Sequence, residues 1–257
     1  MTEVIYDGTY EGWLTAIFEV YEFKLSDIVF AKNETSGTLL FATSHLVVTD
    51  ISKAKRVLDG LKLRLSAEGF SNMYKAFLSE LPDIEETMFQ FVQHVFANTK
   101  NVEEDFSNNA VWYLRKAIRL TRKEAHRMEA FVRFKLTKDQ LYYAIIEPDC
   151  DVLPLIESHF KNRYADQRWL IYDAKRKYGI YYDLENVATI ELQFNMKVTS
   201  SKYLNEICDE QEEFFQNLWR RYFSSVTIES RKNMKLHIQH MPKRYWKNLI
   251  EKIPNVN

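Results

Sequence analysis

QLYYAIIEPDCDVLPLIESHFKNRYADQRWLIYDAKRKYGIYYD, residues 140–183, decides the fold class. Residues 140–146, 168–173 and 178–183 are short runs of aromatic and branched aliphatic side chains, the pattern of strands. Between the first two, VLPLIESHFKNRY (152–164) has helical spacing. With AFVRFKL before (130–136) and VATIELQF after (187–194), the order over 130–193 is strand, strand, helix, then strands. An antiparallel sheet with one face covered by a helix satisfies that order.

Working outward, Glu3–Tyr6 reads as a short strand ending in the turn Asp7-Gly8-Thr9, after which Trp13, Leu14, Ile17, Phe18 and Tyr21 follow helical spacing. Residues 28–31 and 39–49 read as strands. Helices then run to about residue 128: one from Ser52, one holding Phe70 to Phe77, one after Pro82, and the longest after Asn108. Another is expected over 203–223, and Pro242 can open a last helix, MPKRYWKNLIEK. The class is α+β: an antiparallel sheet with covering helices plus a helix-rich region. A single domain over 1–257 is expected, with a helical subregion 50–128 and a sheet-containing subregion 129–257.

With 46% hydrophobic side chains, 6 Gly and 5 Pro in 257 residues, the chain suits a packed core rather than a disordered segment. No run of apolar residues is long enough to span a membrane and no leader is visible at the start, so a cytoplasmic protein without membrane contact is expected. Cys150 and Cys208 stand 58 positions apart without CxxC spacing, which fits reduced thiols and no zinc knuckle.

The net charge of −1 conceals an asymmetry. Residues 111–135 hold eight Lys/Arg against two acids, residues 219–252 hold nine against two, and everything else sums to −14. On a helical wheel Arg115, Arg119, Arg122 and His126 share one face, with Lys116, Lys123 and Arg127 on the adjoining stripe and Trp112 among them. Such a face suits phosphates, and an exposed indole can stack on bases. The bland alternative is a solvated helix whose Arg stems cover apolar surface. The second tract interleaves Lys243, Arg244, Tyr245 and Trp246 with further cations; either it binds nucleic acid, or Trp246 and Leu249 dock a terminal helix onto the body. The nucleic-acid reading requires that the two tracts meet on one exposed surface, without acidic neighbours.

Glu147, Asp149 and Asp151 cluster at a strand end, where Glu147 or Asp149 could serve as general acid or base, assisted by His126 or His159. Turn chemistry is the competing account, with Asp149 capping the helix near Val152. His237 and His240 lack a third ligand at metal spacing, so no metal and no cofactor is expected. GxxxxGK[ST], GxGxxG, GxSxG and HExxH are absent, which removes the commonest nucleotide, hydrolase and zinc signatures and leaves enzymatic activity unassigned.

Four blocks, YDGTYEGWLTAIFEVYE (6–22), EAHRMEAFVRF (124–134), residues 146–183 and QHMPKRYWKNLIEK (239–252), resemble a bacterial family described as DNA-repair or DNA-metabolism proteins without an assigned reaction. Members are typically encoded beside a DNA-modifying radical-SAM protein, and longer relatives carry a uracil-DNA-glycosylase-type domain. The resemblance implies DNA and a radical-SAM protein as partners, and it directs attention to His126, Arg127, Arg133, Glu147, Asp149, His159, Arg163, Asp173, Arg176, Lys243, Arg244, Tyr245 and Trp246. The glycosylase activity is not expected to carry over, the four blocks lying outside such a domain, and an adaptor that holds the radical-SAM protein without contacting DNA is the remaining alternative.

Overall fold

The computed structural model describes residues 1–33, 42–191, 212–225 and 233–252, and the chain divides into two compact units, Met1–Arg122 and Lys123–Asn257. In the first unit, β1 (Thr2–Tyr6) is the central strand of a three-stranded parallel sheet, between β2 (Ile28–Lys32) and β3 (Thr43–Leu46). Val4 stands opposite Phe30 and His45. Parallel neighbours need a covered crossover, and α1 (Tyr10–Glu22) supplies the first one. Its Trp13, Leu14 and Ile17 are fully buried with Val4 and Tyr6 of β1.

The strand-to-helix turn falls at Asp7-Gly8-Thr9, as its residues predict. Gly8 takes φ +84°, a conformation that costs glycine little. The Asp7 carboxylate accepts from the Thr9 amide and hydroxyl at 2.9 and 2.7 Å and from Thr49 at 2.6 Å, while Thr9 Oγ1 caps the Gly12 amide. Burial pushes the Asp7 carboxyl up, but these hydrogen bonds outweigh it and hold the group below its usual range.

Helices α2 (Ile51–Lys62), α3 (Ala67–Phe77) and α4 (Ile84–Ala97) complete this core, the first two capped by Asp50 and Ser66. β2 is an edge strand, and its outward Phe30 amide donates to the Glu86 carboxylate of α4 at 2.8 Å. The strand expected over 39–49 is ordered as 43–46, and 34–41 lie outside the described residues.

The division between units falls inside α5 (Asn109–Phe131). The second unit contains a five-stranded sheet ordered β4-β5-β6-β7-β8, from β4 (Lys135–Leu136), β5 (Tyr142–Ile146), β6 (Trp169–Asp173), β7 (Tyr178–Tyr182) and β8 (Val187–Glu191). It is mixed, which corrects the antiparallel expectation: β5 and β6 run parallel, and the other pairs are antiparallel. The reason is α6 (Leu153–Arg163), which carries the chain back so that β6 starts at the same end as β5. Leu153, Ile156 and Phe160 of that helix bury against Trp169 and Ile171.

Two further differences are local. AFVRFKL is helical through Phe131, and only Lys135–Leu136 pair. The C-terminal stretch forms α8 (Met234–His240) and then two 3₁₀ turns, Lys243–Asn248 and Ile250–Lys252, instead of one α-helix. Of the helix expected over 203–223, α7 (Glu212–Ser225) is described and 203–211 are not. Glu212, buried at its start, accepts the amide of Leu136 on edge strand β4 at 2.9 Å.

Candidate functional site

In the first unit, α5 begins on Asn108, whose side chain accepts the Ala110 amide at 2.9 Å. Val111, Leu114 and Ala117 face the core, so the 3.6-residue period leaves Trp112, Arg115, Lys116, Arg119 and Arg122 toward solvent. Trp112 is 56% exposed, with the Lys116 ammonium 5.9 Å from its ring. Arg115 lies over the Phe106 ring at 4.6 Å. Arg122 donates to Glu68 at 2.7 Å and to Asn72 at 2.8 Å, and this hydrogen bond and charge hold the Glu68 carboxyl below its usual range.

The second unit treats its cations differently. The carboxyl ends of β5 and β6, placed side by side by their parallel pairing, carry the loops 147–151 and 174–177. Arg176 joins them: it binds Asp173 at 2.6 Å and the Asp149 carbonyl at 3.0 Å, and it reaches the Pro148 carbonyl. Lys175 donates to the same Asp149 carbonyl. Asp151 accepts from Tyr178 at 2.5 Å; burial and that carboxylate together push the phenol up.

Glu124, 3% exposed on α5, organises the rest. It accepts the Asp149 amide at 2.9 Å, an Arg244 nitrogen at 2.9 Å and the Tyr245 hydroxyl at 2.5 Å. Burial, then the bond to Glu124, raises the Tyr245 phenol. Arg244 also reaches Asp149 at 3.0 Å, and Lys247 pairs with Glu147. Arg127 lies 3.8 Å from Glu124 and donates to the Gln239 carbonyl.

Within this unit, therefore, α5 and the 243–252 stretch do meet, but they meet around acids, so the shared basic surface that the two-tract reading requires is not formed there. Arg133 is similarly engaged: it binds Glu251 at 2.9 Å, caps the carbonyls of Ala130 and Val132, and lies 5.4 Å from the Trp219 ring. Burial raises the Glu251 carboxyl, yet the Arg133 and Trp219 hydrogen bonds and the guanidinium charge leave it lowered.

The remaining residues singled out from sequence lie apart from that network. Lys123 and Arg163 are exposed, the latter 5.7 Å from the Tyr164 ring. Lys243 and Lys252 flank the Trp246 ring at 5.9 and 5.3 Å, while the Trp246 indole donates to the Met241 carbonyl. His126 is exposed and faces Glu129 at 3.3 Å. His159 packs edge-on against Phe160. Neither histidine is brought to Glu147 or Asp149 by any of these contacts. Asp149 does not cap α6, whose start at Val152 has no side-chain cap bond. Arg231 and Lys232 lie outside the described residues.

Glu124 and Tyr178 were missed from sequence. For Glu124 a signal was available: it falls seven residues after buried Ala117 and three after buried Thr121, on the inward stripe of α5. A carboxylate on that stripe needs donors. Among the described residues no group of three His, Cys, Asp or Glu is placed to hold a metal ion, and no described helix is long and apolar enough to cross a membrane.

These features define an α+β protein in which ion pairs and hydrogen bonds lock the carboxyl ends of two parallel strands to α5 and the C-terminal turns. Residues 82–251 match the model of the domain of unknown function DUF4130, more than half of the chain, and the chain belongs to that family. A comparison with curated proteins gives no match.

Proposed function

We propose that the chain acts in DNA metabolism by binding nucleic acid through the outer face of α5 in the first unit alone, a narrower reading than the two-tract surface, whose second tract is neutralised by acids. The observation that carries this reading is Trp112, a large aromatic ring left 56% exposed beside Lys116, Arg115 and Arg119. Stacking on a base covers such a ring whatever the sequence, while the cations take phosphates. The family resemblance supplies the setting, DNA repair in the company of a radical-SAM protein.

Pairing of Arg122, Arg127, Arg133, Arg176 and Arg244 with acids and carbonyls lowers the expected number of phosphate contacts to about four. Affinity then falls roughly a hundredfold between 50 and 200 mM salt. Fluorescence anisotropy with single-stranded, duplex and damaged DNA measures this, for the wild type and for Trp112→Ala and Lys116→Glu variants. A flat salt response, or variants that bind as the wild type does, overturns the reading.

A second reading, an enzyme on a nucleic-acid or nucleotide substrate, draws on Glu147 and Asp149 lying beside Lys247, Arg244 and Arg176 at strand carboxyl ends, where α/β sheets commonly bind ligands. In that reading the carboxylates act without His126 or His159.

A further inference from the structure

The first unit contains a cleft of about 600 Å³, bounded by the start of α3, residues 103–106 and α5. That volume is within the range of small-ligand pockets. Part of its lining is apolar, from Phe91, Leu114 and Ile118, and successive turns of α5 line it with Arg115, Arg119 and Arg122.

The three guanidiniums are in different states. Arg122 is held by Glu68 and Asn72. Arg115 lies over the Phe106 ring, 4.6 Å from its centroid. Arg119 lines the cleft, is exposed, and among the described residues has neither a hydrogen-bond nor an ion-pair partner. Of the acids in the lining, Glu103 is held by the Ser66 amide and hydroxyl at 2.6 and 2.8 Å, at the start of α3. Glu104 is exposed, and it would repel the extra charge of a polyphosphate.

We propose that this cleft binds one 5′-phosphorylated nucleotide, its base against the Arg115–Phe106 pair and its phosphate monoester on Arg119. A free guanidinium forks onto phosphate oxygens, and a guanidinium paired with a phenyl ring leaves outer planar faces on which a base can stack. The proposal rests on the nucleic-acid reading and names the single nucleotide held specifically within it. A free mononucleotide and the phosphorylated 5′ end of a strand share this chemistry.

Isothermal titration tests it with four probes: 5′-dAMP, deoxyadenosine, and oligo-dA of about six nucleotides carrying a 5′-phosphate or a 5′-hydroxyl. The protein is the full chain, as wild type, Arg119→Gln and Phe106→Ala; both positions are exposed, and circular dichroism checks that the variants fold. Phosphorylated probes should bind at least roughly tenfold more tightly than their hydroxyl counterparts, a preference that Arg119→Gln removes, while Phe106→Ala weakens every probe. If 5′-dAMP binds as tightly as the phosphorylated strand the ligand is a free nucleotide; if the strand binds much more tightly it is a strand end.

Equal affinity for phosphate and hydroxyl ends, or a preference that survives Arg119→Gln, overturns the cleft proposal. If salt-dependent strand binding persists in that case, the nucleic-acid reading stands without it. Phosphate-dependent binding of 5′-dAMP without strand binding keeps the cleft and overturns the broader reading. Failure of every probe overturns both.

Discussion

Residues 111–122 and 243–252 carry cations beside tryptophan at similar density, and the fold uses them in opposite ways. In the first stretch Arg115, Lys116 and Arg119 have no carboxylate partner among the described residues, and Trp112 stands open. In the second, Arg244 and Lys247 close on Glu124, Asp149 and Glu147, Tyr245 is 4% exposed, and Leu249 is fully buried. The difference comes from the partners. Among the described residues Arg122 alone of the first stretch has a carboxylate partner, Glu68, whereas the loop after β5 presents Glu147 and Asp149 to the second and α5 presents Glu124. A basic tract in sequence therefore does not identify a basic surface; the acids that fold against it decide.

The comparison breaks most directly at Glu124. Glu124→Ala leaves the Tyr245 hydroxyl, the Asp149 amide and a guanidinium without their acceptor and should destabilise the protein by about 3 kcal/mol in urea unfolding, at the lower end for a broken buried pair because Arg244 can turn to solvent. A change under about 0.5 kcal/mol would show that this network is not structural.

Arg133→Met is expected to cost about 2 kcal/mol at neutral pH, since it leaves the Glu251 carboxylate, 1% exposed, facing only Trp219. The sign with pH is fixed by the lowered Glu251 carboxyl. Its contribution is present above the ordinary carboxylate range and is lost as pH falls through the lowered value, so acid unfolding of the wild type should be steeper than that of Arg133→Met. Parallel acid titrations by circular dichroism check this.

Trp112→Ala sharpens the other side of the comparison. Unfolding should shift by less than about 0.5 kcal/mol, because the ring is exposed, while affinity for single-stranded DNA should fall by about 1–3 kcal/mol. Arg244→Ala should do the reverse, lowering stability and leaving the salt slope of binding unchanged.

Much of the fold was legible because periodicity reports which side of an element is buried: β1, α1 and the helices from α2 to α5 fall where their apolar residues predict. Strand direction was not, because alternation is the same in parallel and antiparallel strands; α6 between β5 and β6 was the available clue. Pairs such as Glu124–Arg244, 120 positions apart, leave no local trace. For that reason the cations of the site could be counted from sequence, but their neutralisation could not. The 3₁₀ turns after Pro242 escaped for a related reason: Tyr245, Leu249 and Ile250 are buried at spacings that a helix also produces.

Glu86 gives the smallest expected effect and the cleanest contrast with Glu251. Both are carboxylates taken largely out of water, but Glu251 faces a guanidinium, whereas Glu86 accepts the Phe30 amide and has Glu85 and Asp83 for neighbours. Burial, with those like charges, raises the Glu86 carboxyl. A raised carboxyl favours folding while protonated, so its contribution is fully present below the ordinary carboxylate range and declines as pH rises through the raised value. Glu86→Gln keeps an oxygen for the Phe30 amide and removes the charge. It should stabilise the protein at pH 7 by somewhat less than about 1 kcal/mol and have no advantage at pH 4. A stability loss at pH 7 would mean that the edge strand needs the charge itself, and that the first unit, like the second, relies on ionised carboxylates to hold its sheet.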